Sequence, residues 1–507
     1  MLQQNLQILA KVLADLPPQG LSNFINGQWV EAQSGATFVN HSPVDGQAIC
    51  TVAASAAPDV AAAAEAAQQS FGQWKNWSHQ NRKAILYRIA EEIEKHSEVL
   101  AILESYDTGQ AIRYTKHHVS RALGYFRYYA DRSVDAQNGQ STPDVAHLNY
   151  TIRQPIGPVG VITPWNTPLL LTLAKIVPAL VAGCTVVHKP AEWSPLTAHF
   201  LVECAHRAGL PAGVWNVVQG MGEVAGKALT EHAAIRAIAF VGESTTGSQI
   251  IRQGATTLKR VHFELGGKNP VLVFPDADLD RALDAVLLMK YSLNGQRCTS
   301  SSRLILHESV YAPFLAQLQK RVAQLRVGHP LDPLTEIGPL IHPQHQQKVK
   351  HYLQLGQAEG ARLLSSRQLP AADLSPKTYI APILFADVQP HMQIAQAEIF
   401  GPFLTVLPFS NEAQAIEIAN GVKYGLTAYI WTKDIARAHR MARDIESGMV
   451  WINSQNVRHP SVPFGGVKYS GLGRDGGDYG LHFFMETKNI TVALGDHPIP
   501  QLGKTDA

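Results

Sequence analysis

Residues 158–189 read PVGVITPWNTPLLLTLAKIVPALVAGCTVVHK, and this stretch decides the fold. Pro158-Val-Gly-Val-Ile-Thr163 is an apolar run of strand length. Leu169 to Ala182 is apolar around its whole circumference, as a buried helix is, with Pro178 placed to kink it. Thr185-Val-Val-His-Lys189 is a second apolar strand. Strand, buried crossover helix and strand predict a parallel sheet covered on both faces, with right-handed connections. Downstream, a helix over 196–208, a strand over 214–218, a helix near 224–231 and a strand over 235–241 continue the series. A second α/β region is expected over 268–432, with strands at 270–274, 302–306 and 403–407. Upstream, residues 21–56 read as short strands and turns, and 58–132 as helices. Residues 147–154 alternate like an edge strand. In such a sheet a ligand sits at the carboxyl ends of the strands.

Composition excludes several function classes. The 507 residues exceed a single core, so two or more domains are expected. With 43 basic and 41 acidic residues the net charge is +2, which gives no electrostatic basis for binding nucleic acid or an anionic membrane. Small anions need only local positive groups and stay open. Lys175 and Pro178 make the apolar stretch 168–184 a buried helix in preference to a membrane span. Leu2, Leu6, Leu9, Leu13 and Leu16 predict an amphipathic helix, not a signal peptide, because Lys11 and Asp15 interrupt the run. The four cysteines form no C-x-x-C pair, so free thiols and a cytoplasmic location are expected.

Chemistry collects at a few positions. Cys298, in Asn294-Gly-Gln-Arg-Cys-Thr-Ser300, follows a glycine turn and adjoins Arg297. A cation and oriented amides favour the thiolate; the alternative is a small buried hydrophobe, which is retained for Cys50, Cys184 and Cys204. Glu264 stands before Gly266 and Gly267 and reads either as a general base or as a cap. Asn166, after the first strand, reads as an oxyanion donor or as a helix N-cap. Lys189 and Glu192 close the second strand, where an acidic residue bonds ribose hydroxyls and favours NAD over NADP; a surface pair is the alternative. The glycine-rich stretches at 220–226 and 242–247 fit no dinucleotide fingerprint and read as turns.

The ordered set resembles the aldehyde dehydrogenase superfamily from about Phe24 to Gly495. Its members are Pro164-Trp-Asn166, Lys189-Pro-Ala-Glu192, Phe240-Val-Gly242-Glu-Ser-Thr-Thr-Gly247, Glu264-Leu-Gly-Gly267, Gly295-Gln-Arg-Cys298, Glu398-Ile-Phe400-Gly-Pro402 and Pro463-Phe-Gly-Gly466. The resemblance implies an α/β architecture with a Rossmann-type cofactor domain (21–136 and 155–262) and an α/β catalytic domain (263–470). It also implies a small β oligomerisation arm (137–154 and 480–497), with 1–20 as a helical extension. It implies that Cys298 attacks an aldehyde, that Asn166 and the Cys298 amide hold the oxyanion, and that Glu264 activates water on a thioester. Lys175 and Glu486 match positions of proton relay and base support. Cofactor contacts are implied at Ile162, Thr163, Pro164, Trp165, Lys189, Glu192, Gly222, Gly242, Glu243, Leu265, Gly266, Glu398 and Phe400, with NAD expected, NADP as the alternative, and no metal. Two positions depart from the pattern: Ala397 replaces a glutamate, and the acidic Glu243 replaces a serine that would face a diphosphate.

Within the superfamily, the last third most resembles 5-carboxymethyl-2-hydroxymuconate semialdehyde dehydrogenases. The resemblance rests on Tyr429-Ile-Trp-Thr-Lys-Asp434, Gly473-Arg-Asp-Gly-Gly-Asp-Tyr479 and Gly495-Asp-His-Pro-Ile-Pro500. It implies an anionic semialdehyde of aromatic catabolism, with Arg458 as the anion contact or else as a solvated loop charge. The usual second arginine of that segment is Ser461 here. Another aromatic or aliphatic aldehyde, and a non-catalytic homologue, are the competing readings; Glu264 counts against a CoA-dependent one. The arm implies a homodimer or homotetramer.

Overall fold

The computed structural model describes residues 1–136, 139–365, 369, 374 and 377–503. Five parallel strands form the centre of the eight-stranded first sheet: β1 (Pro158–Ile162), β2 (Thr185–Lys189), β3 (Trp215–Val217), β4 (Ala237–Val241) and β5 (Arg260–Glu264). Their order is β3-β2-β1-β4-β5. The chain therefore reverses direction between β1 and β4, and the crevice at their carboxyl ends is where such a sheet takes a ligand. These strands are nearly all apolar because helices cover both faces. The helix Pro168–Ala182 begins on a proline whose missing N–H costs nothing at that position, and it ends at Gly183 with φ +96°. No helix among the described residues is long and apolar enough to cross a membrane. The helix expected near 224–231 differs at its start. Gly222–Gly226 forms a wider π turn, in which the Gly226 amide donates to Met221 O, and the α-helix covers only Lys227–Glu231.

The second sheet contains β6 (Pro270–Val273), β7 (Arg303–His307), β8 (Ile383–Ala386), β9 (Phe403–Phe409), β10 (Thr427–Trp431) and β11 (Met449–Ile452) in the order β8-β9-β7-β6-β10-β11. All six are parallel, and Arg362–Leu363 adds an antiparallel edge beside β8. Only the segment 265–269 separates β5 from β6, so the carboxyl end of one sheet feeds directly into the next. A late strand, Gly471–Leu472, pairs antiparallel with β5 and carries the C-terminal loop across the end of Glu264's strand.

The arm is a three-stranded antiparallel sheet of Ser141–Pro143, His147–Pro155 and Met485–Ala493. Positions 137 and 138, expected at its start, lie outside the described residues. The amino-terminal helix Leu2–Ala14 buries Leu9 and Val12, and Asn5 Nδ2 donates to Leu331 O at 2.8 Å.

Arg303 ties the second sheet to its surroundings. It is 2% exposed, and its guanidinium donates to Lys268 O (2.8 Å), Ile418 O (2.6 Å) and Ala419 O (2.7 Å). Arg303→Leu leaves three buried carbonyls without a donor and is expected to cost about 3 kcal/mol or more. The thermal unfolding midpoint should fall accordingly, with Arg303→Lys recovering only part. An unchanged midpoint would refute this role.

Candidate active site

The turn carrying Cys298 starts where the helix Leu279–Tyr291 stops. Leu293 (φ 54°), Asn294 (φ 57°) and Gly295 (φ 69°) are consecutive left-handed residues. Such backbone is costly for leucine and persists only where the surroundings over-determine it. Here side-chain amides do so. Asn294 Nδ2 donates to Gly109 O (2.9 Å) and Pro339 O (2.8 Å), and its Oδ1 accepts from the Gly338 amide (2.7 Å). Gln296 Oε1 accepts from the Ile341 amide at 3.0 Å. Gly295 must be glycine, because a Cβ there would fall 2.1 Å from Gly401 O. Beyond the turn, Asn269 Nδ2 donates to Cys298 O (2.7 Å) and Ser300 O (2.9 Å), while its Oδ1 accepts from the Thr427 amide (3.1 Å).

Asn166, at the carboxyl end of β1, donates one amide hydrogen to Gln296 O at 3.0 Å, across 130 residues of sequence. Its second amide hydrogen is free for a ligand. Cys298, Asn166 and Glu264 line one site that opens in two directions. Arg297 does pull toward the thiolate, as expected, but it is outweighed. Burial pushes the Cys298 thiol up, Arg458 opposes this more than Arg297 does, and Glu264 and Glu398 push it further up. Arg297 Nη1 turns to Met289 Sδ at 2.9 Å.

Glu264 ends β5, 5% exposed, and neither of its oxygens has a hydrogen-bond partner. Burial, and then Asp475, hold its carboxyl well above the ordinary carboxylate range, against Lys175, Arg458 and Arg474. Lys175 Nζ donates to Asp475 Oδ2 at 2.6 Å and faces His262 Nδ1 at 3.4 Å. The placement of Glu486 beside the base is corrected. Glu486 is exposed on the arm strand and pairs with Arg260 at 2.6 Å, because β-pairing with Gln154 carries it away from Lys175. Asp475 holds that place instead. Polar atoms of His262, Glu264 and Asp475 lie within 4.8 Å of one another, and the Lys175 ammonium already supplies a cation to the group.

One opening, of about 240 Å³, runs along the crevice between β1 and β4. Pro164, Trp165, Gly242, Leu265, Gly266, Glu398 and Phe400 line it. Glu398 Oε1 accepts from the Gly267 amide at 2.8 Å, and burial raises its pKa to about 7. A Cβ on Gly266 would overlap that carboxylate. Phe400 (φ 60°) meets Trp165 edge-on at 5.5 Å. Farther along, Ile162 ends β1 half-buried, Thr163 Oγ1 bonds His188 Nε2 at 2.9 Å, and Lys189 Nζ donates to Glu192 Oε2 at 2.9 Å. Gly222 has open space where a side chain would stand. Glu243 lines this crevice, and Lys348 brings a compensating positive charge to the same wall. Lys348 and His345, which donates from Nε2 to Phe400 O at 2.8 Å, escaped the sequence reading because nothing in their local pattern marks them.

The other opening leads from Cys298 past His118, Arg121, Tyr125, Arg458 and Phe464. The Arg458 guanidinium lies over the Phe464 ring at 3.5 Å, and its Nε donates to Asn456 Oδ1 at 2.9 Å. Arg121 sits on the helix Ile112–Arg132 with its buried Nη2 unpartnered. Burial, and then the neighbouring Arg458 charge, lower its pKa to about 10.

The aldehyde dehydrogenase family profile matches residues 29–490. This chain belongs to the aldehyde dehydrogenase family. It is 41% identical to the Escherichia coli 5-carboxymethyl-2-hydroxymuconate semialdehyde dehydrogenase over 466 residues, 90% of this chain and 98% of that one. The crystal structure of HpcC from Thermus thermophilus superposes with a TM-score of 0.96 at 46% identity, covering 98% of each chain. Betaine aldehyde dehydrogenase from Staphylococcus aureus in complex with NAD+ gives a TM-score of 0.95 at 32% identity, covering 98% of this chain and 100% of that one. In this aldehyde dehydrogenase Arg121, more than 300 positions before Ser461 in the chain, lines the same opening as Arg458. The signal was available only as one more arginine on an amphipathic helix.

A carboxyl with a raised pKa is neutral below it and ionised above it, so a step that uses the Glu264 carboxylate quickens as pH rises through it. Decay of an acyl group placed on Cys298 should therefore accelerate with pH, with an apparent pKa above the ordinary carboxylate range. Glu264→Gln should remove that rise while leaving acylation intact. A flat profile in the unaltered protein would count against Glu264 as base.

Proposed function

We propose that this protein oxidises a carboxylate-bearing semialdehyde, of the kind formed in aromatic catabolism, to the corresponding acid, with NAD as oxidant. The observation that carries the reading is the convergence of Cys298, Asn166 and Glu264 at the junction of two openings. One opening suits a dinucleotide, and the other bears Arg121 and Arg458.

The residues divide the work. Cys298 attacks the carbonyl carbon as its thiol proton passes to water. The free amide hydrogen of Asn166 and the Cys298 amide hold the oxyanion, an arrangement worth most in a water-poor cavity. When bound, NAD accepts the hydride. Glu264 then deprotonates water for attack on the thioester, releasing the acid and restoring Cys298. The residues present fit such a cofactor. Glu398 would bond the nicotinamide ribose, with Lys348 on the same wall of the opening. Lys189 ends β2 and donates to Glu192 just beyond it; the Glu192 carboxylate would bond a ribose diol and repel a 2′-phosphate. NAD is therefore favoured over NADP.

Two guanidinium groups at one mouth select an anion. The relative from E. coli is named for an anionic semialdehyde, which supports the same reading. The domain division given above, a cytoplasmic location, and a homodimer or homotetramer joined through the arm complete the proposal. Sedimentation as a strict monomer would reject the last part.

The test is NAD reduction with a panel of semialdehydes and neutral aromatic or aliphatic aldehydes. Cys298→Ala should abolish turnover. Arg121→Ala and Arg458→Ala should each lower kcat/KM for carboxylate-bearing substrates by about 10- to 100-fold and leave neutral aldehydes nearly unchanged. Equal losses on both classes would favour the alternative of a neutral aldehyde. No turnover in the unaltered protein would reject the oxidation reading.

A further inference from the structure

The substrate opening holds one polar group that the proposed chemistry leaves without a task. His118 stands on the helix Ile112–Arg132, three residues before Arg121 and seven before Tyr125, and all three line the opening that leads to Cys298. Spacings of three and seven put them on one face of the helix. His118 is buried, so its ring is oriented by what it touches. Its Nδ1 faces Glu104 Oε1 at 3.4 Å. Glu104 is buried as well, and its other oxygen accepts from the Leu169 amide at 3.0 Å, in the first turn of the helix Pro168–Ala182. That amide is one of the donors a helix start leaves without an internal partner, so the backbone holds the carboxylate in place. A carboxylate can only accept. Nδ1 therefore carries the ring hydrogen, and Nε2 is a bare lone pair. Nε2 makes no hydrogen bond among the described residues and is the edge of the ring left to the opening. Burial, against the pull of Glu104 and with the help of the Arg297 and Arg121 charges, lowers the His118 pKa, so the ring is neutral at neutral pH.

We propose that His118 is a specificity-determining residue that accepts a hydrogen bond from a hydroxyl or amino group on the substrate. This rests on the semialdehyde reading above and adds a second recognition element to it. Arg121 and Arg458 can only donate, and they suit a carboxylate. His118 Nε2 can only accept, and its residue stands one turn from Arg121, about 5 Å along the helix axis. A substrate that carries a carboxylate and, within a few atoms of it, an O–H or N–H group satisfies both. A substrate without such a donor covers the lone pair and leaves it unpaired, at the cost of desolvating it. A methoxy oxygen at the same place fares worse, because it sets one lone pair against another. Discrimination by a polar group that one analogue pairs and another does not exceeds discrimination by size alone. The role is recognition: no proton is transferred, and Cys298, Asn166 and Glu264 act as described above. Glu104 acts through His118, as the positioning residue that fixes its tautomer.

The test follows NAD reduction with 3-formylbenzoate, its hydroxy derivatives at each open ring position, and the corresponding methoxy compounds. In the unaltered protein the best hydroxy compound should exceed 3-formylbenzoate in kcat/KM by about tenfold or more, and its methoxy counterpart should fall below 3-formylbenzoate. His118→Leu should erase the hydroxy preference while 3-formylbenzoate keeps its kcat/KM within about threefold. His118→Gln, whose side-chain oxygen can accept in place of Nε2, should keep much of the preference. Glu104→Gln should invert the ring. Its oxygen stays on the Leu169 amide, its NH2 donates to Nδ1, and Nε2 then carries the hydrogen. The methoxy compound should gain about tenfold on the hydroxy compound in that variant, a change that a packing role would not produce. Equal use of hydroxy, methoxy and unsubstituted compounds by the unaltered protein would overturn the inference. So would an equal loss on all three in His118→Leu, which would mark packing. A hydroxy preference kept by His118→Leu and lost by His118→Gln would do the same. Where Glu104→Gln does not fold, the two His118 variants decide. Absence of NAD reduction with every aldehyde removes the oxidation reading. Turnover without the preference, or of none of this series while other aldehydes are oxidised, removes only the assignment of His118.

Discussion

The left-handed turn Leu293-Asn294-Gly295 is the constraint on which the rest of the site depends. It stands because the Asn294 and Gln296 amides bond backbone at Gly109, Gly338, Pro339 and Ile341. Asn166 bonds the same turn from the first sheet, at Gln296 O. Helical region, first sheet and second sheet therefore meet on one loop, and the Cys298 thiol is placed by all three. A strained turn fixed from several directions gives a nucleophile little freedom, which is what transfer chemistry in a narrow cavity requires.

Burial governs the charges. It raises Cys298, Glu264 and Glu398 together, so the cavity carries little net negative charge before a ligand arrives. The opposing cations sit at its edges: Arg458 and Arg121 at one mouth, Lys348 at the other, and Lys175 behind the base. Burial also makes Glu264 a stronger base than an exposed carboxylate would be, because the same desolvation that disfavours its charge favours its taking a proton.

The Lys175–Asp475 pair shows how the second half of the chain completes the first. The edge strand Gly471–Leu472 pairs with β5 and brings Asp475 across Glu264, 300 residues from Lys175. A pair so buried is costly unless its geometry is good; at 2.6 Å, with a carboxylate matched to an ammonium, it is. Glu486 lies only a short stretch further along the chain, yet β-pairing turns it to solvent, because alternate residues of the arm strand face opposite sides.

The sequence by itself determined the strands at 158–162, 185–189 and 237–241, the buried helix after the first of them, and the chemical identities of Cys298, Asn166 and Glu264. These were legible because apolar periodicity and motif order are local properties, carried by neighbouring residues. Even there, the π turn at Gly222–Gly226 was hidden, since its apolar pattern differs little from that of an α-helix. The tertiary structure alone decided that Asp475, not Glu486, meets Lys175, and that Arg121 lines the same opening as Arg458. It also decided that the thiol is held up, not down, and that Glu104 faces His118 at the substrate opening. Those outcomes depend on which distant segments are brought within hydrogen-bond distance and on how much water they exclude. Neither quantity is written in the spacing of residues along the chain.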